Sequence, residues 1–493
     1  MSVSATSTES ASPGLRDTAQ LRRGAMNRVE AFTSSVAAIA PAISVLTVFG
    51  AIFAAAGLAS PLVLLIAVIA FGFHINTVAE YNRIAPSPGF YVSYVAKALG
   101  VTTGTLTAIL YGVGELILLG AAIFGPALWD QEVIRLLTGY TPGWWLLLII
   151  QGGIGTIVVL LGVVFSVRVI AALFTLELLT VAGGIIAILV THASYIALSG
   201  SAFNPANIRD GATGFGVAFV LCILMFSGCS ASAPMSDEME HPKRNIPIAL
   251  YSALAVAGIV FVAAAWAQVI GFDGHVGPML KTNFPFITAT SQSAHWVTYL
   301  IYFSGITSGL GVTVATLNAA SRLYYNMSRE RLLPAIVGAV GRIRKTPWMA
   351  IAAATGLAVL TMIVYTLVAG GLSYTGGYTG YGQIATLGTD LVILVYIVAN
   401  IGLPFFYRRQ APELFSWWRH AVAPLLAIAL LAYPFWETIK PNQAAPLNWW
   451  WLVVVVLMLG GAVAGIAAKR RKLPIGEYES SEIATDEALT SNQ

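Results

Sequence analysis

Apolar runs of about 20 residues recur from residue 33 to residue 468, and this recurrence constrains the fold more than any other feature of the sequence. A helix of roughly 20 apolar residues crosses the hydrocarbon core of a bilayer, where only helices and closed barrels satisfy their own backbone polar groups. Charged residues make up 10% of the chain, whereas they make up roughly 25% of a soluble domain. The sequence therefore predicts an all-α polytopic membrane protein that lies in the lipid bilayer.

Twelve such runs are separated by polar residues, proline or glycine. They predict transmembrane helices at residues 33–57, 61–84, 101–128, 144–165, 168–191, 213–239, 246–271, 295–320, 348–369, 382–406, 420–436 and 448–468. The Gly-Tyr run at residues 371–381 is predicted as a loop between the ninth and tenth helices. Residues 1–28 predict a disordered tail and residues 473–493 an acidic tail, so the membrane domain is assigned to residues 29–472.

The distribution of basic residues predicts the orientation. Of the 26 Lys and Arg residues, 22 fall in the tails and loops on the side of the termini, and the four others are Arg135, Arg209, Lys281 and Lys440. Loops rich in Lys and Arg stay in the cytoplasm. The sequence therefore predicts a multi-pass protein of the cell membrane with both termini cytoplasmic.

The same composition argues against several other classes of function. The basic residues lie in short clusters between apolar runs, which is typical of membrane topology and not of nucleic-acid binding. The six histidines are scattered without the spacing of metal ligands. The chain has no phosphate-binding loop of the G-x-x-x-x-G-K-[ST] type for ATP. No cofactor, metal or nucleic-acid partner is therefore predicted.

Two of the apolar runs are interrupted in corresponding places. The first run carries Pro41 within residues 40–44 (APAIS), and the sixth carries the small-residue stretch 226–234 (FSGCSASAP). Each interruption alone is equally typical of a packing kink or a close helix crossing. The two lie five helices apart, so their halves of the chain have opposite orientation, as in the inverted repeats of many secondary transporters. The pairing predicts a binding site between them.

Four motifs resemble those of the amino acid-polyamine-organocation permeases. Residues 226–247 (FSGCSASAPMSDEMEHPKRNIP) are similar to the sixth-helix signature and the loop after it. Residues 317–334 (LNAASRLYYNMSRERLLP) resemble the end of the eighth helix. Residues 79–94 (AEYNRIAPSPGFYVSY) resemble the loop between the second and third helices, and residues 166–169 (SVRV) resemble the entry to the fifth helix. The resemblance spans residues 29–468 and is more specific for the family than for a substrate.

The resemblance implies a leucine-transporter-like fold, with ten core helices in two inverted halves at about 33–191 and 213–406 and two peripheral helices at about 420–468. It also implies a secondary active transporter that works by alternating access. In similar permeases, amides of the first break bind a substrate carboxylate and carbonyls of the sixth bind its amine, which accords with the charge at helix ends. The family's first-helix motif G-S-G-I falls on residues 42–45, and its sixth-helix motif G-[FV]-E falls on residues 228–230. The residues predicted to bind substrate at the two breaks are Pro41, Ala42, Ile43, Ser44, Phe226, Ser227, Gly228, Cys229 and Ser230.

This chain departs from the family pattern at both breaks. Ala42 and Ser44 stand where the family has glycines, and Ser230 stands where it commonly has an acid. A further departure is Glu177. Counting from Ser166, this residue stands at the position where many related permeases have a lysine that mimics a cation. By this resemblance Glu177 is predicted to govern coupling to H+ or Na+, and the alternative is a buried acid paired with a neighbouring hydroxyl.

Acids within membrane spans are costly and are usually functional. Glu115, which follows Tyr111 in the third run, lies on a helix that lines the site in related permeases, so both residues are predicted to contact substrate. A role in helix packing is an equal alternative for Glu115, because Gly112 and Gly114 allow close approach. Asp390, in the tenth run, is predicted to make a polar contact between helices.

The predicted function is a permease for a small-molecule substrate, an amino acid or a related amine, and not an enzyme. One rival is an integral membrane enzyme that acts on a lipid-like substrate, but its polar catalytic cluster is missing from the sequence. The other rival is a channel, which would show a symmetric polar pore motif in place of two broken helices.

Overall fold

The computed structural model describes residues 21, 24–282, 284–441 and 445–477. The described residues form eighteen α-helices and no β-strand. In chain order, they are α1 (Arg28–Ile39), α2 (Pro41–Thr47), α3 (Phe49–Ala56), α4 (Ser60–Ile84), α5 (Tyr91–Leu99), α6 (Val101–Thr138), α7 (Trp144–Leu160), α8 (Val163–Thr191), α9 (Ser199–Ala202), α10 (Gly211–Phe226), α11 (Pro242–Gly271), α12 (Val276–Met279), α13 (Pro285–Ser293), α14 (His295–Arg329), α15 (Trp348–Ala369), α16 (Tyr374–Gln410), α17 (Ala423–Ile439) and α18 (Trp450–Arg470).

Eleven helical segments in the described part of the chain are long and apolar enough to cross a bilayer. The run predicted at residues 144–165 forms α7, a helix of 17 residues, which is at the short end of the range for a span. The all-α polytopic fold class is confirmed. The count of twelve spans and the inverted relation between the halves stay predictions.

The first predicted helix, residues 33–57, is divided into α1, α2 and α3. The division between α1 and α2 lies at Ala40, whose φ of 49° and ψ of 73° are left-handed. Proline disfavours the α conformation of the residue before it, and Pro41 itself has no N–H to continue the helix. Pro41 is therefore the first residue of α2, where its fixed φ suits a helix start.

The sixth predicted helix, residues 213–239, changes geometry half-way. The α-helix α10 ends at Phe226, and two 3₁₀ turns follow it, Ser227–Ser230 and Ala233–Glu238. A 3₁₀ stretch within a long helix often marks a functional hinge. The small residues of this stretch permit the change, because they present little side-chain volume to the neighbouring helices.

The tenth predicted helix, residues 382–406, begins eight residues earlier than expected. Residues 374–381 are the first turns of α16, so the assignment to a loop is wrong for these residues and holds only for residues 371–373. Glycine-rich sequence is helical here because its neighbours approach closely: a Cβ on Gly380 would lie 2.6 Å from Thr366 Oγ1. Small residues are favoured at helix contacts in membranes for this reason.

The last residues of the predicted N-terminal tail are ordered and contact the helix bundle. Residues 1–20, 22, 23 and 478–493 of the predicted tails lie outside the described residues. Met26 is fully buried and pairs with Met239 in an isolated β-bridge, and the Ala25 and Met26 amides donate to the Glu238 carbonyl at 2.7 and 2.9 Å. The chain before α1 is therefore held against the end of the sixth predicted helix.

Candidate functional site

An internal cavity of about 100 Å³ lies where the two interrupted helices meet. Its walls come from α1, α2, α6, α10, the Ser227–Ser230 turn, α14 and α16. Seven of the residues predicted from the sequence line this cavity: Ile43, Ser44, Tyr111, Glu115, Ser227, Gly228 and Ser230. The structure therefore brings together residues that are as far as 187 positions apart in the chain.

The other predicted substrate-site residues are not in the cavity wall. Ala42 and Cys229 are fully buried beside it, and Pro41 is buried as the first residue of α2. Phe226 stacks on Phe71 with ring centroids 5.9 Å apart. These four positions support the shape of the two interruptions, and their side chains form no part of the lining.

Gly228 is the point of closest contact between the two interruptions. A Cβ at this position would lie 2.3 Å from both the carbonyl carbon and the oxygen of Ala38. Only glycine allows the backbones of α1 and the Ser227–Ser230 turn to approach so closely. Any substitution at Gly228 therefore disturbs helix packing as well as the cavity.

Glu177 connects α8 to the interruption of the first helix. Its Oε1 atom accepts hydrogen bonds from the Ala42 amide at 2.6 Å and from the Ser308 hydroxyl at 2.7 Å. The same hydroxyl oxygen accepts the Ile43 amide at 3.1 Å. The side chain of Glu177 is therefore a fixed part of the break, although it does not line the cavity. Thr180, one turn further along α8, donates to Ser304 Oγ at 2.6 Å.

Glu115 is the sole carboxylate among the described residues that line the cavity, and no Lys, Arg or His is among them. Tyr111, one turn earlier on α6, lines the same cavity. At Gly114, beside Glu115, α6 and α16 approach closely, as the sequence predicts for this glycine. A Cβ at Gly114 would lie 2.9 Å from Val392 Cγ2. A cavity with one acid and no base favours a cationic group.

Two tyrosines of α16, Tyr381 and Tyr396, also line the cavity, and the sequence did not predict them as site residues. Tyr396 is stacked on His74 with ring centroids 4.0 Å apart. The His74 ring contacts the Tyr91 hydroxyl through Nε2 at 2.8 Å and Asn400 Nδ2 through Nδ1 at 2.9 Å. The sequence did contain one indication that Tyr381 lies on a helix. Tyr374, Tyr378 and Tyr381 have the three- and four-residue spacing of one helix face.

A buried ion pair joins α14 to the end of the sixth predicted helix, next to the basic loops. Arg322 of α14 donates from Nε to Glu238 Oε2 at 2.8 Å and from Nη2 to Oε1 at 3.2 Å. The Arg322 side chain is fully buried.

A second cavity of about 280 Å³ lies on the side of the first cavity that is away from this ion pair. The two cavities share the lining residues Thr47, Val48, Leu224 and Tyr381. The ion pair therefore lies next to the basic loops, and the second cavity adjoins the first at the other end of α2.

Asp390 lies away from the cavity. Its Oδ1 atom accepts the Thr438 hydroxyl of α17 at 2.7 Å, which is the polar contact between helices that the sequence predicts.

The profile of the amino acid permease family matches residues 28–459 of this sequence. The chain belongs to the amino acid permease family. This confirms the resemblance drawn from the four motifs, and it places the protein among permeases and not among membrane enzymes.

Individual relatives of the permease match over shorter stretches. The glutamate/serine transporter AimA of Bacillus subtilis is 23% identical over 227 residues, which cover 43% of this chain and 39% of the relative. The methylthioribose transporter of the same organism is 26% identical over 219 residues, 43% of this chain and 42% of the relative. The permease thus spans about two fifths of the length of each of these relatives.

Solved structures show the fold of the permease. A point mutant of the Eremococcus coleocola manganese transporter superposes with a TM-score of 0.56 at 11% sequence identity, over 93% of this chain and 99% of that one. The same transporter in complex with an aromatic bis-isothiourea compound gives a TM-score of 0.52. The predicted leucine-transporter-like fold is confirmed by this likeness, which shows the fold alone.

Proposed function

We propose that this permease is a secondary active transporter, which carries a small amino acid or a related amine across the cell membrane by alternating access. The observation that carries the proposal is the cavity of about 100 Å³ where the two interrupted helices meet. Membership of the permease family and the names of the relatives support it. By the distribution of basic residues, both termini are in the cytoplasm.

Glu115 is the group that binds the ammonium of the substrate in this proposal. The rings of Tyr111, Tyr381 and Tyr396 line the same cavity, and aromatic faces attract cations when water is excluded. A carboxylate buried without a basic partner is costly, and a substrate ammonium offsets that cost. The charge of the cavity is therefore matched by an amine.

The carboxylate of an amino acid substrate would find fewer free hydrogen-bond donors at the first-helix break than the resemblance implies. The resemblance assigns it to the amides of the first-helix break, but the Ala42 and Ile43 amides already donate to Glu177 and Ser308. Glu115 in the same small cavity also repels a second carboxylate. We therefore rank small amines without a carboxylate above zwitterionic amino acids as substrates.

Glu177 is the coupling residue in this proposal, with H+ or Na+ as the coupled ion. Its carboxylate is bonded directly to the Ala42 amide, so a change in its charge alters the bond that holds the first-helix break. Hydrogen bonds to a charged carboxylate are roughly twice as strong as those to a neutral group. Ion occupancy at Glu177 would thereby change the geometry of the break.

Exchange in proteoliposomes tests the substrate assignment. Serine and ethanolamine differ only by the carboxylate, so the two labelled compounds are compared as substrates for counterflow. We expect saturable counterflow, faster for ethanolamine, and at least about 100-fold weaker transport by Glu115→Gln. Asp390→Asn, which changes a buried acid outside the cavity, is the matched control. Equal activity of Glu115→Gln and the unmodified protein would place the amine site elsewhere.

Cysteine labelling tests the orientation. The two native cysteines, Cys222 and Cys229, are buried, so they contribute little background. We expect Ser10→Cys and Thr485→Cys to react with an impermeant reagent only after cells are opened. Reaction of either variant in intact cells would contradict the proposed topology.

A further inference from the structure

A cavity larger than the one at the two breaks lies apart from it, between α6, α14, α15 and α18. Its volume is about 610 Å³, which is within the usual range of ligand sites. The walls are apolar and include Ile109, Leu116, Met327 and Leu333. At its outer edge, Leu357 has 53% of its surface exposed. The cavity therefore reaches the surface of the helix bundle that faces lipid.

All four helices contribute the end that lies next to the basic loops. The lining positions are residues 105–116 in the first half of α6, the first turns of α15, and the last turns of α14 and α18. The cavity thus lies towards the end of the helix bundle that is next to the basic loops. The side chains of Arg331 and Arg471 complete its rim.

The helix ends at this rim share an unusual backbone geometry. After α14, Arg331 has a φ of 61°, and the Leu332 amide donates to the Met327 carbonyl at 2.9 Å. After α18, Lys472 has a φ of 51°, and the Leu473 amide donates to the Ala468 carbonyl at 3.1 Å. This is the Schellman ending, in which the left-handed position usually holds glycine.

The two left-handed positions hold Arg331, which is in the rim, and Lys472, which follows the rim residue Arg471, so only Arg331 combines the strained backbone with a place in the rim. An L-residue in this conformation costs roughly 1–2 kcal/mol more than glycine, and such outliers persist where function requires the side chain. Each ending also turns the next leucine, Leu332 or Leu473, into the cavity wall. The preference of cations for helix C-termini explains bases in the last turn, but it does not explain their presence at the left-handed position.

The charge of the rim is positive. Arg331 and Arg471 are exposed, and neither forms an ion pair with the residues that the structure describes. Glu330, the nearest acid in sequence, is fully buried and turned towards the Gly476 amide, which donates to it at 3.0 Å. Basic pockets between transmembrane helices suit the head groups of anionic lipids.

We propose that this cavity binds one anionic glycerophospholipid of the leaflet next to the basic loops, with its phosphate on Arg331 and Arg471 and its acyl chain among the apolar walls. The lipid would fill space that otherwise lacks dispersion contacts between α18 and the core. The site is independent of the substrate that the permease carries.

Lipid titration of the purified full-length protein tests the proposal. Delipidated protein is titrated with phosphatidylglycerol, phosphatidylcholine or glycerol 3-phosphate, and bound lipid is counted by native mass spectrometry alongside the melting midpoint. We expect one tight site for phosphatidylglycerol, weaker binding of phosphatidylcholine, and no stabilisation by glycerol 3-phosphate, which lacks the chains. Equal affinity for the two lipids, or equal stabilisation by the chain-free anion, would overturn the proposal.

Variants separate the head-group contact from the apolar one. Arg331→Gln combined with Arg471→Gln should weaken phosphatidylglycerol binding by about thirtyfold, since each base near the surface contributes about fivefold. Arg244→Gln combined with Arg342→Gln removes two exposed bases elsewhere and should change nothing. Ala354→Phe fills the cavity and should weaken both lipids. Unchanged phosphatidylglycerol binding in the first double variant would contradict the assignment.

Arg331→Gly gives opposite effects on stability and on binding. Glycine relieves the left-handed strain, so the lipid-free protein should melt at a higher temperature. The same variant should lose phosphatidylglycerol affinity about fivefold or more. A purely structural role for Arg331 predicts no loss of affinity, so retention of full affinity in this stabilised variant would also overturn the proposal.

Discussion

The carboxylate of Glu177 accepts a hydrogen bond from the Ala42 amide at 2.6 Å, so an acid of α8 holds the first free donor after the break between α1 and α2. Pro41 has no N–H, and the next amides of a helix start have no partner within the helix. Ser308 extends the contact to the Ile43 amide. The residue proposed for coupling and the first-helix break are therefore one hydrogen-bonded unit.

Glu177→Gln tests the coupling role. The glutamine oxygen can still accept the Ala42 amide, but the side chain no longer titrates or carries charge, so the site should keep its shape. We expect substrate counterflow to persist within about tenfold, while uptake driven by a proton or sodium gradient falls to the level seen without a gradient. The measurement is initial uptake by proteoliposomes under each imposed gradient.

Asp390→Asn is the control for this experiment, because Asp390 is also fully buried and hydroxyl-bonded but lies away from the break. It should retain the response to the gradient. If Glu177→Gln also retains the full response, Glu177 is a structural residue and the coupling assignment is wrong.

Gly228→Ala should disrupt the permease through backbone contact. The added methyl group would lie 2.3 Å from the Ala38 carbonyl, which cannot rotate away as a side chain can, and overpacking of this kind costs about 3 kcal/mol. We expect a lower melting midpoint and loss of transport. Gly356→Ala is the control, because no atom of a neighbouring described residue lies within 4 Å of its Cβ position. Equal stability of the two variants would contradict the packing argument drawn from the Ala38 contact.

The fold and part of the site could be predicted from the sequence because membrane spans and helix breaks are local signals. Length and apolarity located the helices, and Pro41 and the run 226–234 located both interruptions. The contact between Glu177 and Ala42 joins residues 135 positions apart, and no local pattern encodes it. Tyr381 was missed because the glycines around it are typical of loops in water, whereas in a bundle they permit close helix packing.

Arg322→Met should destabilise the permease and open it towards the basic loops. Glu238 would remain as a buried charge without its partner, which costs about 3–5 kcal/mol. We expect a lower melting midpoint and greater reactivity of Ser232→Cys towards an impermeant reagent added on that side. The double variant Arg322→Met with Glu238→Gln should recover part of the stability, because it removes both charges. A double variant as unstable as Arg322→Met alone would contradict the ion-pair argument.

The segment after α18 should dock in a pH-dependent manner through Glu330. Burial raises the pKa of this carboxyl from 4.5 to about 7, although the Gly476 amide, Asn326 and Arg329 each favour the charged form and Glu477 disfavours it. The raised pKa means that the docked state prefers protonated Glu330. Docking is thus fully stabilised below about pH 4.5, and this stabilisation is lost as pH rises through about 7.

Hydrogen exchange at the Gly476 amide, corrected for its intrinsic pH dependence, measures this docking. Between about pH 4.5 and 7, release of one proton on opening should increase the open population by up to tenfold per pH unit. Above about pH 7 the opening should level off, because Glu330 is then ionised in both states. Glu330→Gln cannot titrate, so its exchange should be independent of pH after correction. Glu413→Gln, which changes an exposed acid elsewhere, should behave as the unmodified protein. If Glu330→Gln keeps the pH dependence, another group controls the segment.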